Sequence, residues 1–198
     1  FPGMPIKSDR GHILTTHRLY CLCEAAIIHE NITKEAMAVS EELVSKVRDS
    51  RLALDMSDDE CAVLAEITTV RTLPDDEVLI AEGAVDDSLY VMLSGKIGVT
   101  KQTAGDDDTT LHVLCAGEFA GQMGFVDGKE HTATLKALGG AEVLVLKRED
   151  LESRLETHPN LVYQVMRSVV RSGHEILRRM NNQYVELTNY ISKTHGRY

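Results

Sequence analysis

Between Thr68 and Lys147 the chain falls into short apolar or alternating runs, each closed by a turn signal, and this constrains the fold more than any other feature. "TTVRTL" meets Pro74-Asp75-Asp76, and "EVLIAEG" follows. "SLYVML" ends at Ser94-Gly95, and "KIGVTKQ" leads into the Gly-Asp-Asp-Asp turn at 105–108. "TTLHVL" runs to Gly117, "HTATLKAL" to Gly139-Gly140, and "AEVLVLK" closes the set. Roughly eight strands at about ten-residue spacing predict an antiparallel roll of the jelly-roll kind.

Helical periodicity brackets this region. Residues 16–50 read as two helices, the second with an apolar stripe of Ile32, Ala36, Val39, Leu43 and Val47. Ser57 followed three residues later by Glu60 is a capping box ahead of "CAVLAEI". "REDLESRLE" restores the helical period, and His158-Pro159 places proline in the first turn of a long final helix. There Val162, Met166, Val169, Gly173, Ile176, Met180, Gln183, Leu187 and Tyr190 recur at alternating spacings of four and three. One small roll cannot bury so long a stripe. A parallel coiled-coil dimer through residues 160–190 accounts for it, with a helix folded back on its own domain as the alternative. Gly173 costs about 1 kcal/mol against Ala in a helix, which predicts close packing or a bend there.

The fold class is therefore α+β: a β-roll of about eight strands flanked by N-terminal helices and a long C-terminal helix. The expected layout is a disordered or tag-derived start (1–14), a helical extension (15–50), the roll (51–158) and a dimerisation helix (159–198).

Charge is unevenly spread over the 198 residues, whose formal net charge is −10. Arg51 to His158 holds 9 Lys/Arg against 22 Asp/Glu, whereas Pro159 onward holds 6 against 2. So acidic a middle repels nucleic-acid phosphates, and with no Trp there is little to stack single strands, so DNA binding is not expected. No apolar run is long enough to cross a bilayer and no secretory signal opens the chain, so a cytoplasmic location is expected. His17, Cys21, Cys23 and His29 gather metal-ligand types, but on a helix Cys23 points about 160° away from Cys21, so no metal site is expected. "GDDDTT" lacks the spaced oxygen ligands of a calcium loop. "GEFAGQMG" lacks the Gly-x-Gly-x-x-Gly spacing, and no nucleophile stands in a recognised catalytic motif, so no enzyme activity is expected.

The remaining feature is "GEFAGQMGFVDGKEHTATLKA" at 117–137, a glycine-rich turn with a Gln and a His-Thr pair before an alternating run. It contains no arginine, and its only lysines are Lys129 and Lys136. Together with "LPDDEVLIAEGAVDDSLYVMLSGKIGVTK" and the order of elements, it resembles the cyclic nucleotide-binding domain, in detail the sensor half of Crp/Fnr-type (catabolite-activator) regulators. The resemblance spans about Leu52 to Met180.

It implies a phosphate-binding cassette in which a short helix aims backbone N–H groups at a cyclic phosphate. Gly121 stands at the loop glycine, Gln122 where the family has a ribose-binding Glu, and Met123 and Gly124 follow. His131 stands where the family has a phosphate-binding Arg, and Thr132 and Ala133 complete the motif. Val99 and Leu111 fit the apolar pocket wall, while Ile176 and Leu177 replace the hydroxyls that cover the base from the long helix. A glutamine accepts a hydroxyl's bond without charge assistance, and a histidine lacks the guanidinium fork. Each such loss weakens binding by about ten- to a hundredfold.

The expectation is a degenerate cassette in a regulatory signalling module, weak or altered toward cyclic AMP, working through a protein partner held by the N-terminal helices. The alternatives are a working cyclic AMP or cyclic GMP sensor, in which the nucleotide is an effector, and the sensor part of a truncated Crp/Fnr-type transcription regulator. In the last, a helix-turn-helix domain would follow the long helix, where too few residues remain for one.

Overall fold

The computed structural model describes residues 41–102 and 108–195. The expected segments over 1–40, with the His/Cys group and Ile32, Ala36 and Val39 of the stripe, and most of the 105–108 turn lie outside the described residues, while Leu43 and Val47 of that stripe pack in the core of the roll. The chain divides into two compact units, Phe1–Glu42 and Leu43–Tyr198, and the site described below lies wholly in the second.

Among the described residues, eight strands form two four-stranded antiparallel sheets. They are β1 (Thr68–Leu73), β2 (Val78–Ile80), β3 (Ser88–Ser94), β4 (Ile97–Gln102), β5 (Asp108–Leu114), β6 (Phe119–Ala120), β7 (Thr134–Ala137) and β8 (Ala141–Lys147). One sheet has the order β1-β8-β3-β6, the other β2-β7-β4-β5. The helices are α1 (41–49), α2 (Asp58–Glu66), α3 (Gln122–Asp127), α4 (Arg148–Glu152) and α5 (Pro159–His195), with a 3₁₀ turn at Arg51–Ala53.

The unbroken apolar runs of β3 and β8 follow from burial on both faces. Leu89, Val91, Leu144 and Leu146 face a layer that includes Val47, Leu52, Leu64 and, from α5, Leu161, Val165 and Val169. Their alternates Tyr90, Met92 and Val143 face the opposite sheet, where Ile97, Leu135 and Ala137 meet them. Successive strand side chains point to opposite faces, so each residue of the run has a core to fill. Each fully buried leucine contributes about 1.5–3 kcal/mol.

The capping box forms as expected: Ser57 Oγ accepts from the Glu60 N–H at 3.3 Å, and the Ser57 N–H donates to Glu60 Oε2 at 2.8 Å. Other expectations shift. The run at 131–138 becomes strand only at Thr134, so His131 and Thr132 precede β7 instead of alternating across it. β6 has only two residues and gives no periodic signal. The helix at "REDLESRLE" ends at Glu152 and continues as turns.

α5 differs most. Val169 is buried in the core, and Val162 and Met166 pack against it, so this part of the expected stripe belongs to the roll. The outward line is Tyr163, Val170, Leu177, Tyr184 and Ile191, spaced by seven, with Met180 and Leu187 between, and all are exposed. A Cβ built on Gly173 meets nothing within 4 Å, so the close packing expected there is absent within the protomer.

Candidate functional site

The cassette is a sharp turn from strand into a short helix. After β6 the chain turns at Gly121 with φ +79° and enters α3, which ends at Gly128 with φ +69°. A Cβ at Gly121 would lie 2.5 Å from the Ser88 carbonyl oxygen and 3.1 Å from the Tyr90 ring, so close approach and left-handed backbone both require glycine. At Gly124 a Cβ would lie 2.5 Å from the Asp86 carbonyl oxygen and 2.8 Å from His131 Cε1. α3 therefore rests directly on the β2–β3 connection and on the His131 ring.

Two side chains brace this seat. Asp86 accepts from the Ser88 N–H at 2.9 Å and from the Tyr90 hydroxyl at 2.5 Å. Burial, reinforced by the bond to the Asp86 carboxylate, pushes the Tyr90 phenol up to about 12, so it remains a donor across the neutral range. Arg148 Nη2 donates to the Gly124 carbonyl at 2.9 Å, placing a cation among the last carbonyls of α3, where a helix end favours one.

The expected site residues separate into three groups. Gly121, Gln122 and Gly124 meet at the start of α3 with His131 against them. The Gln122 side-chain amide is already engaged, donating to the Phe119 carbonyl at 3.2 Å and to Ser172 Oγ on α5 at 3.1 Å. His131 is held by its backbone, its N–H on the Ala84 carbonyl at 2.9 Å and its carbonyl on the Gly83 N–H at 2.8 Å. Its Nε2 is buried without a hydrogen-bond partner.

Thr132 is exposed and Ala133 half-buried, both in the link to β7. Half-buried Val99 sits in β4, paired in register with Leu135 and His112.

Met123, Leu111 and Leu177 are turned outward, 77%, 55% and 62% exposed, whereas Ile176 is half-buried. Leu111 has a clear cause. Val99 pairs with His112 and Thr100 with Thr110, leaving Leu111 as the extra residue of a β-bulge.

Sequence reasoning missed the polar links that join α5 to the roll. Glu118 accepts from the Cys115 N–H at 2.9 Å and from Arg179 at 3.2 Å, and meets His112 Nε2 at 3.1 Å. Burial would raise its carboxyl, but these bonds outweigh it and hold the group below the ordinary carboxylate range. Arg51 pairs with Glu175 of α5 at 2.5 Å. Arg51 and Glu175 are 124 residues apart in sequence, and no local pattern signals such a pair.

Among the described residues, no group of three or more His, Cys, Asp or Glu could hold a metal ion, and no helix is long and apolar enough to cross a membrane.

Residues 70–158 match the family described as Cyclic nucleotide-binding domain. The Cyclic AMP receptor protein of Thermus thermophilus is 28% identical over 105 residues, which are 53% of this chain and 49% of that protein. Neuropathy target esterase sws of Drosophila virilis is 24% identical over 159 residues, 74% of this chain but 11% of that protein. The chain thus spans half or less of the length of these relatives. In fold, a cyclic nucleotide-binding domain from Methylobacillus flagellatus superposes with a TM-score of 0.66 at 25% identity, covering 75% of this chain and 84% of that one.

Proposed function

We propose that this cyclic nucleotide-binding domain is a regulatory module with weak or altered affinity for cyclic AMP, and that it acts through protein–protein contact. The observation that carries the reading is the state of Gln122 and His131. The Gln122 amide nitrogen is fixed on Phe119 and Ser172, which leaves a neutral carbonyl oxygen as the acceptor for a ribose hydroxyl, and the imidazole at the phosphate position has its Nε2 buried without a partner. A ligand entering the cassette would meet a neutral acceptor at the first position and would have to turn the second, in a stretch that offers no guanidinium.

The contact surface is the outward line of α5. Five large apolar side chains at seven-residue spacing, Tyr163 to Ile191, suit a parallel two-helix seam with a second copy. In this reading residues 51–158 are the sensor-type roll, 159–198 the dimerisation helix and 15–50 a helical extension that holds a protein partner.

A second reading, a working effector sensor, is favoured by the intact cradle: Gly121, the start of α3 and Thr132 remain in place. Isothermal titration with cyclic AMP and cyclic GMP at pH 6 and pH 8 separates the two. No binding tighter than about 100 μM at either pH is expected. Micromolar binding independent of pH overturns the proposal. Micromolar binding confined to pH 6 supports the sensor.

A further inference from the structure

Arginines absent from the cassette stand elsewhere, along the flank of α5 that faces the 51–54 turn. Arg51, Arg171 and Arg178 line an open groove of about 480 Å³. None of the eleven cassette and pocket-wall positions discussed above lines it. We propose that this groove is a second ligand site, for a small organic phosphate. The proposal is independent of whether the cassette binds a nucleotide.

The groove is built on one helical face. Ser168, Arg171, Ser172, Glu175 and Arg178 recur at spacings of three and four and so share one side of α5. The two serines are 6% and 8% exposed, at the inner edge of that face.

Charge selects the ligand. Three guanidiniums and one carboxylate line the groove, in a chain that is otherwise strongly acidic. Arg51 is bonded to Glu175, and Arg171 to Asp55, which also lies 3.6 Å from Arg167. Among the described residues, no carboxylate lies within ion-pair distance of Arg178. A guanidinium has five donors, so one carboxylate leaves much of each fork open. Several forks facing one space match a phosphate dianion better than a single carboxylate.

Shape selects the rest of the molecule. Leu54, 66% exposed, lies beside the buried Phe119 ring and offers an organic body apolar surface. The stretch from 168 to 178 rises about 15 Å, and the volume is within the usual range for small-molecule sites. Both suit a molecule of nucleotide size better than an extended chain. Ser172 also accepts from Gln122, so an occupant of the groove would be felt at the cassette through one hydroxyl.

The test uses the full chain, with inorganic phosphate and adenosine 5′-monophosphate as probes against sodium chloride of equal ionic strength. Adenosine 5′-monophosphate is expected to raise the melting temperature in a saturable way, at lower concentration than inorganic phosphate. Arg178→Ala is expected to weaken that binding about tenfold while leaving the unliganded melting temperature unchanged. Arg178→Lys should recover part of it, and His131→Ala should leave it intact.

No shift beyond the salt control overturns the proposal, as does equal affinity in Arg178→Ala. Loss in His131→Ala instead returns the ligand to the cassette. Equal response to both probes overturns the organic part. A poly-glutamate peptide that shifts melting when the nucleotide does not overturns the small-molecule assignment.

Discussion

Gln122→Glu restores the acid that the family resemblance leads one to expect, and the structure makes the cost calculable. The two hydrogens of the Gln122 amide go to the Phe119 carbonyl at 3.2 Å and to Ser172 Oγ at 3.1 Å. An ionised carboxylate of the same shape has neither hydrogen. Ser172 can reverse its hydroxyl and donate, but the Phe119 carbonyl would face an anion with no proton between them. One lost bond and one unsatisfied, partly desolvated acceptor together cost about 1–3 kcal/mol. At this chain length that lowers the melting temperature by about 2–12 °C. Below the carboxyl range the introduced acid is protonated and can donate to Phe119 again. Its folded-state pKa is therefore raised above the unfolded value of about 4.3. The variant's stability relative to wild type is fully present below that value and lost as pH rises through the folded pKa. The assay is urea unfolding of both proteins at pH 4 and pH 8, where the difference should be small and large respectively. Equal stability at pH 8, or a deficit independent of pH, would refute the engagement of Gln122 by these two acceptors.

Two further outcomes follow from the same geometry. Gly173→Ala should stabilise the isolated protomer by about 0.8–1 kcal/mol, because the added Cβ meets nothing within the chain; submicromolar urea unfolding checks this, and sedimentation of the same variant shows whether a helix partner needed the gap. Glu118→Gln should flatten the acid limb of the stability profile: a depressed folded-state carboxyl contributes stability present above about pH 4.3 and lost as pH falls through its folded value, so parallel unfolding at pH 3 to 7 should show the variant's deficit narrowing toward acid.

The sequence disclosed most of the roll because its signals are local. Turn residues close each strand, and β3 and β8 carry unbroken apolar runs because both of their faces are buried. Ser57 and Glu60 mark a helix start by spacing alone, and the capping box forms. Where the signal is not local, the reading failed. β6 is two residues held by pairing with Tyr90 and Val91, and a two-residue strand has no period. Leu111 alternates correctly in sequence, yet one bulge opposite Val99 and Thr100 takes it out of register and turns it to solvent.

The long helix illustrates the deeper limit. Its apolar residues serve two surfaces at once: Leu161, Val165 and Val169 fill the core, while Tyr163, Val170, Leu177 and Tyr184 point away from it. The expected four-three stripe runs between these faces: Val162, Met166 and Val169 pack on the roll while Met180, Leu187 and Tyr190 are exposed, and only the packing of the roll separates the two parts. The same packing decides the chemistry of the site. Gln122 and His131 were identifiable as departures from a charged pair, but sequence offers no sign that Ser172, fifty residues on, takes up the glutamine amide. Nor does it show that Arg171 and Arg178 of α5 line one groove with Arg51. Arg178→Ala and Gln122→Glu then perturb different surfaces and should add independently in a double variant. Non-additivity above about 0.5 kcal/mol would mean that the Ser172 hydroxyl couples the groove to the cassette even without a ligand.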